Sequence, residues 1–168
     1  MTPAILLLAL VTLGRIAELF LARRNTAALL TRGAVEVAPG HYPAIVALHA
    51  AWLGALWVYG AGQTIHVGWL VVFLFLQVMR VWVLGTLGSR WTTRIIVLAG
   101  ERLVARGPYR FVSHPNYLVV IGEIAVLPLC LGLPWVAVIF SLLNAGVLAV
   151  RISAESAALR GTGSNAVV

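Results

Sequence analysis

Residues 117–150 decide the fold of this chain, and they read YLVVIGEIAVLPLCLGLPWVAVIFSLLNAGVLAV. Glu123 is the one charged residue in this stretch, and Leu131-Gly132-Leu133-Pro134 interrupts it near the middle. Glycine commonly follows the end of a helix, and proline commonly begins the next one. At 1.5 Å per residue, each half forms a helix that is just long enough to cross the hydrocarbon core of a bilayer. The stretch therefore predicts a hairpin of two transmembrane helices.

The same apolar composition extends over all 168 residues. Hydrophobic residues make up 61% of the chain, charged residues 10%, and the mean hydropathy is +0.99. A soluble domain has about a quarter of its residues charged, and a disordered chain lacks apolar surface, so both classes are excluded. The single cysteine, Cys130, excludes a disulfide framework. We expect one domain over residues 1–168, an all-α integral membrane protein with five transmembrane helices: Pro3–Ala22, Pro43–Tyr59, Val67–Leu87, Tyr117–Leu133 and Pro134–Val150.

The charged residues indicate which side of the membrane each connection occupies. The chain has 12 arginines and no lysine, five glutamates and no aspartate, and a net charge of +7. The arginines cluster between spans one and two, between spans three and four, and after span five, which is typical of cytoplasmic segments. This pattern places the N-terminus outside and the C-terminus in the cytoplasm, and it argues against nucleic-acid binding. The alanine-, valine- and arginine-rich composition is typical of a GC-rich bacterial genome, which favours a bacterial inner membrane.

Several polar residues lie inside the predicted spans. Arg15 and Glu18 are three residues apart on one helix face, and Arg80 and Glu123 lie in spans three and four. Charged groups at membrane depth pair with one another or face a polar cavity. The sequence thus predicts either an interhelical network, such as Arg80 with Glu123, or the lining of a pocket. His49 and His66 have no second ligand at helical spacing, so no metal site is predicted.

The longest polar segment, Gly88–Asn116, lies between spans three and four and contains the candidate chemistry. Ile95–Leu98 is expected to be a short extended piece, and His114-Pro115 begins span four. Helix N-termini attract anions, so a small ligand with a carboxylate could bind there. A purely structural capping loop is the alternative.

Two groups of residues in this region resemble the signature of the isoprenylcysteine carboxyl methyltransferase family. The first is Leu103-Val104, Gly107-Pro108-Tyr109-Arg110 and His114-Pro115-Asn116-Tyr117, and the second is Arg151 followed four residues later by Glu155. The resemblance covers residues 84–159, a family-like core that follows an N-terminal two-span part, residues 1–66. Ser113 and Ser156 depart from the arginine and glutamate that are usual in the family.

The resemblance implies a membrane O-methyltransferase that uses S-adenosylmethionine and a lipidic acceptor, either a prenylcysteine-type carboxylate or a lipid-tailed phenol or pyrone. A carboxylate acceptor would need no base, whereas a hydroxyl acceptor would, with Glu123 or His114 as candidates. Arg151 and Glu155 would be the catalytic pair, with Arg151 binding the acceptor. The implied cofactor contacts are Glu101, Arg102, Leu103, Val104, Tyr109, His114, Pro115, Asn116, Tyr117 and Glu155.

Three alternatives stay open at this level. Arg151 and Glu155 could form a structural salt bridge, because they share a helix face. A similar tyrosine and His-Pro-x-Tyr signature occurs in NADPH-dependent membrane sterol and steroid reductases. A membrane scaffold without enzymatic activity is the third alternative.

Overall fold

The computed structural model describes residues 2–98 and 104–161, with side chains through residue 154. The described chain is mostly helical. Five α-helices and two short strands form it: α1 (Pro3–Thr31), β1 (Val35–Glu36), α2 (Tyr42–Gly60), α3 (Val67–Leu87), β2 (Ile96–Val97), α4 (Pro115–Cys130) and α5 (Pro134–Gly161). Single turns of 3-10 helix occupy Pro39–His41, Gly88–Arg90 and Gly107–Arg110.

Four of these segments, which comprise α1, α2, α3 and α5, are long and apolar enough to cross a membrane. The fifth, α4, is apolar but has 16 residues, or roughly 24 Å at 1.5 Å per residue. It begins two residues before the start of the predicted fourth span and ends three residues before the end of that span. The predicted membrane-helical fold is therefore confirmed in its coarse form.

The predicted end of the first helix is wrong. We expected Pro3–Ala22, but α1 continues to Thr31, nine residues further. Arginine is a good helix former, so Arg23 and Arg24 do not end the helix where it leaves the apolar stretch. The buried Asn25 then donates from its amide to the carbonyl oxygens of Gly88 (3.1 Å) and Trp91 (2.9 Å), which fastens this extension to the end of α3. The fifth helix likewise runs beyond its predicted end at Val150.

The helical hairpin predicted at Leu131–Pro134 is present. Gly132 adopts φ +66°, and the amide of Leu133 donates to the carbonyl of Pro128 at 2.9 Å. The carbonyl of Cys130 accepts from the amide of His66 at 2.8 Å, so the end of α4 is capped by the connection between α2 and α3.

The expectation of an all-α chain missed a small antiparallel ladder. Val35 pairs with Val97 and Glu36 with Ile96. The extended piece expected at Ile95–Leu98 is confirmed as β2, but its partner β1 lies in the connection that follows α1. Leu29, Ala34 and Ile96 form a separate apolar cluster beneath this ladder. Two residues per strand are too few to give a periodic sequence signal.

Candidate functional site

A cavity of about 300 Å³ lies between α1, α2, α4 and α5, and residues 91–93 close one end of it. Tyr42 and Arg151 lie at that end. His49 on α2 and Asn144 on α5 are each seven residues away along their helices, which places them roughly 10 Å deeper. The cavity therefore extends about two helical turns into the bundle.

Arg151 organises the shallow end of the cavity. Its Nε donates to the hydroxyl of Tyr117 at 2.9 Å, and its Nη1 donates to the carbonyl oxygen of Thr93 at 2.9 Å. The hydroxyls of Thr93 and Tyr42 are hydrogen-bonded at 3.1 Å. These contacts join α2, α4, α5 and the segment after α3 in one polar rim.

The rim is supported from outside by an ion pair. Arg94 donates from Nη1 to both carboxylate oxygens of Glu36, at 2.9 and 2.7 Å, and its guanidinium lies 4.6 Å from the centroid of the Tyr42 ring. The hydrogen bond to Glu36 is the main reason that the pKa of Arg94 lies above its ordinary value. Arg94 is thus a permanent cation beneath Tyr42 and links β1 to the rim.

A buried ion-pair network borders the deep end. Arg80 holds Glu18 through two parallel hydrogen bonds, Nε to Oε1 and Nη2 to Oε2, both 2.6 Å. It also donates to Glu123, whose other oxygen accepts from Gln77 (2.7 Å) and Arg15 (3.2 Å). Arg15 and Glu18 lie 3.1 Å apart. Two cations and two anions balance, which is how charged groups become tolerable at membrane depth.

The predicted network and the predicted pocket are both present. Arg15, Glu18 and Arg80 pair as described and also line the cavity. Glu123 pairs with Arg80, as the sequence indicated, but it is not among the residues that line the cavity.

Several buried polar atoms on the cavity wall have no hydrogen-bond partner among the described residues. They are Arg15 Nε, Trp52 Nε1 and Asn116 Oδ1. Buried polar atoms in proteins are nearly always paired. Three unpaired polar atoms on residues of one cavity wall favour a polar ligand there over a purely apolar one.

The structure brings together only some of the predicted site residues. Asn116, Tyr117 and Arg151 line the cavity. Pro115 is the first residue of α4, and His114 stacks on the Tyr117 ring, with centroids 5.0 Å apart and an interplanar angle of 10°.

The other predicted residues lie away from the cavity wall or outside the described part. Tyr109 belongs to the 3-10 turn that packs on α3, and neither it nor Val104 lines the cavity. Glu101, Arg102 and Leu103 lie outside the described residues. Glu155 lies in α5, with its side chain outside the described part.

Sequence reasoning missed two contributors to the rim, Tyr42 and Thr93, because neither belongs to a motif. It noticed His49 but considered it only as a metal ligand. The one available signal for His49 was an imidazole within a predicted transmembrane helix.

The chain matches one protein family and one curated relative. The sequence profile of the isoprenylcysteine carboxyl methyltransferase (ICMT) family matches residues 69–161. The chain is also 38% identical over 160 residues to the uncharacterized protein YpbQ of Bacillus subtilis, covering 92% of this chain and 95% of that protein. No solved structure matches the chain.

Proposed function

The chain belongs to the isoprenylcysteine carboxyl methyltransferase family, and on that premise we propose that it transfers a methyl group from S-adenosylmethionine to an oxygen of a lipidic acceptor within the membrane. Family membership itself supports a membrane methyltransferase. It lends no support to the sterol or steroid reductase alternative. The use of S-adenosylmethionine and the lipidic nature of the acceptor are what we propose beyond family membership.

The observation that carries the proposal is the convergence of the two family motifs on one cavity. Tyr117 and Arg151 are 34 residues apart in sequence, yet Arg151 Nε donates to the Tyr117 hydroxyl at 2.9 Å and both side chains line the cavity. Asn116, next to Tyr117, also lines the cavity, and its buried Oδ1 has no hydrogen-bond partner among the described residues. If the motif only capped α4, we would not expect its side chains to contact α5 at a cavity.

The residues at this end suit the proposed cofactor. S-adenosylmethionine carries an ammonium group and ribose hydroxyls, which need acceptors, and a carboxylate, which needs donors. Asn116 Oδ1 offers the acceptor, and the N-terminus of α4, which begins at Pro115, favours an anion. Asn116 and Tyr117 line the cavity and are assigned as cofactor contacts on that ground. Tyr109, His114, Pro115, residues 101–104 and Glu155 are assigned by resemblance alone.

The cofactor, when bound, supplies an electrophilic methyl group on a sulfonium. The chain's own contribution is to hold the acceptor oxygen at about 3–3.5 Å in a site without water. A guanidinium has five N–H donors, and the contacts with Tyr117 and Thr93 use two of those on Arg151. The remaining donors would orient the acceptor oxygen, in keeping with the planar grip of arginine on anions.

The acceptor's lipid tail has a path from the bilayer. Ile16 and Leu19 of α1 and Val46 of α2 line the cavity, and each is more than a third exposed. Exposed apolar side chains of two helices at one cavity are suited to an opening between α1 and α2. We propose that the tail enters there while the cofactor binds at the opposite, shallow end, beside Arg151 and the N-terminus of α4.

We further propose that all five helices cross the membrane, with the N-terminus outside and the arginine-rich segments in the cytoplasm. α4 needs only local thinning of the bilayer for its 16 residues to span. The C-terminus and the site would then face the cytoplasm of a bacterial inner membrane, where S-adenosylmethionine is made.

The test is a titration of the detergent-purified protein with S-adenosylmethionine, S-adenosylhomocysteine and NADPH. We expect the first two ligands to bind and NADPH not to bind. Glu155→Gln should raise the Kd for S-adenosylmethionine about tenfold, equivalent to roughly 1.4 kcal/mol. Arg151→Ala should preserve cofactor affinity and lower turnover by roughly 100-fold, because it misplaces the acceptor.

Melting curves of both variants provide the folding control. Equal losses of stability in the two variants, without a separation of cofactor affinity from turnover, would instead identify the pair as a structural salt bridge. Binding of NADPH in place of S-adenosylmethionine would refute the proposed function.

A further inference from the structure

Polar side chains of α2 and α5 line the cavity at two depths. The shallow level contains Tyr42 and Arg151, and the deep level contains His49 and Asn144, which we call the deep pair. Seven residues are close to two helical turns, so on each helix the deep residue lies on the same face as the shallow one, about 10 Å from it. On these two helices, the residues between the levels that line the cavity are all apolar: Ile45, Val46, Val147 and Leu148.

Asn144 has unused hydrogen-bonding capacity. Its side chain lines the cavity, the residue is 5% exposed, and its amide makes no hydrogen bond to another described residue. A primary amide has two N–H donors and an oxygen acceptor, and buried groups of this kind are nearly always paired. Polar residues inside transmembrane helices are costly and tend to mark sites of binding. Asn144 therefore indicates a ligand group that forms hydrogen bonds at this depth.

His49 provides a hydrogen-bond acceptor at the same depth, on a helix that packs against α5. Its Nδ1 is 2.9 Å from the carbonyl oxygen of Ile45, and a carbonyl oxygen only accepts, so Nδ1 carries a proton. In the neutral ring, the lone pair is then on Nε2. Nε2 makes no hydrogen bond to a described residue, and it is not enclosed by protein atoms as the indole nitrogen of Trp52 is. A ligand in the cavity can therefore donate to His49.

The charged residues beside the deep pair favour an uncharged ligand group. Arg15 and Glu18 lie 3.1 Å apart on the cavity wall, and Arg80 holds Glu18 through two hydrogen bonds. With Glu123, which pairs with both arginines, they form a network of two cations and two anions. A charged ligand group would add an unbalanced charge where desolvation is expensive. The group that meets the deep pair is therefore neutral.

A hydroxyl group satisfies both members of the deep pair. Its O–H can donate to His49 Nε2, while its oxygen accepts from the amide of Asn144. A keto or ether oxygen only accepts, so it would leave His49 Nε2 without a partner, and an aliphatic amine would be charged at neutral pH. A purely hydrocarbon tail would leave both residues unpaired in a buried space, which is unfavourable.

We propose that the deep pair is a specificity subsite for a lipidic acceptor with a hydroxyl group on its tail, about 10 Å from the oxygen that is methylated. This inference rests on the proposed function, which places the reacting oxygen beside Arg151. An extended alkyl chain covers that distance with about eight carbon–carbon bonds, and this part of the tail would lie against the apolar residues between the two levels. The remainder would continue toward the opening between α1 and α2. His49 and Asn144 select the acceptor and take no part in the methyl transfer.

The experiment measures binding to the full chain in detergent by calorimetry, without cofactor. The probes are 9-hydroxyoctadecanoic acid, 14-hydroxyoctadecanoic acid and 9-oxooctadecanoic acid, whose carboxylate stands for the acceptor oxygen beside Arg151. The two hydroxy acids have the same composition, so they partition into micelles alike, but only the first has its hydroxyl about 10 Å from the carboxylate. We expect its Kd to be about tenfold lower than that of the 14-hydroxy acid, with the 9-oxo acid between them.

Two variants test whether the deep pair causes this preference. Asn144→Leu and His49→Leu should each reduce it to about threefold or less, because each removes one partner of the hydroxyl. The Kd of the 14-hydroxy acid should stay the same in both variants. The matched control is Ser141→Ala, since Ser141 lies one turn from Asn144 on α5 but does not line the cavity, and it should keep the full preference. Melting curves in the same detergent check that each variant is folded.

The outcomes separate this inference from the proposed function. Equal Kd values for the two hydroxy acids in the wild-type protein, or a preference that survives in both leucine variants, overturn the subsite. The methyltransferase function would then still stand, because binding of S-adenosylhomocysteine tests it independently. If S-adenosylhomocysteine does not bind while the preference for the 9-hydroxy acid is present, the proposed function is wrong, and the deep pair binds a hydroxylated lipid that is not a methyl acceptor.

Discussion

At the scale of single residues, the deep end of the cavity depends on charge balance. Arg80 is 7% exposed and Glu123 4%, and their ion pair joins α3 to α4. Arg80 also reaches Glu18 on α1 through a bidentate contact. Such pairs offset the cost of desolvating the charges rather than adding much stability of their own, so the loss of one partner is costly.

Glu123→Gln should therefore destabilise the protein strongly. The change leaves two buried guanidinium groups, Arg80 and Arg15, with only Glu18 as a carboxylate partner. We expect the free energy of unfolding to fall by about 3–5 kcal/mol, as measured by unfolding in mixed micelles.

The matched control is the double variant Arg80→Met with Glu123→Leu. It removes one cation and one anion together and leaves the Arg15–Glu18 pair intact. This variant should lose less stability than Glu123→Gln alone. An equal or larger loss would mean that side-chain packing, not charge, governs this region.

At the scale of elements, the turn Gly107–Arg110 positions the segment that enters α4. Gly107 has φ +57°, and a Cβ atom built there would lie 2.5 Å from Thr86 Oγ1 on α3. The position thus requires glycine both for its backbone conformation and for its close approach to α3. This turn contains Tyr109, one of the proposed cofactor contacts.

Gly107→Ala should lower stability by about 1–3 kcal/mol, because it strains the left-handed backbone conformation and displaces Thr86. Gly85→Ala serves as the comparison, since that glycine lies within α3 with no atom near its missing Cβ. Alanine there should be neutral or stabilising by about 0.5–1 kcal/mol. Thermal melting in one detergent measures both variants, and similar melting temperatures would contradict the assignment of strain to the turn.

At the scale of the whole molecule, the two ends of the bundle differ in charge and in structure. The end at the cavity rim includes the C-terminal part of α1, the β1–β2 ladder and most of the arginines, whereas the connection between α2 and α3 and the α4–α5 turn have none. α1 is 29 residues long, about 43 Å, so roughly its last nine residues extend beyond a hydrocarbon core of about 30 Å. This asymmetry underlies the proposed topology.

Labelling of single cysteines tests that topology. Gln63→Cys and Phe111→Cys, made separately in a Cys130→Ala background, place thiols at exposed positions on the two ends. A membrane-impermeant maleimide should label them from opposite sides of sealed vesicles, with Phe111→Cys reacting from the cytoplasmic side. Labelling of both from one side would rule out five spans.

The sequence by itself determined that this is a membrane protein of apolar helices, because hydropathy and proline position are local properties. Pro3, Pro115 and Pro134 begin three of the helices, and the hairpin at Gly132 is where the turn residues placed it. The family motifs also identified the side of the bundle on which Tyr117 and Arg151 meet. The ends of α1 and α5 and the β1–β2 ladder were misjudged, because a helix can continue past an apolar stretch and two residues per strand give no periodic signal.

The tertiary structure decided which distant residues share a space. His49 and Trp52 face the same cavity as Arg15, and Arg80 pairs with both Glu18 and Glu123, which are 62 and 43 residues away. Such contacts depend on the rotation of each helix about its axis and on the angles at which helices cross. Those quantities are set by packing between helices, so no local pattern in the sequence contains them.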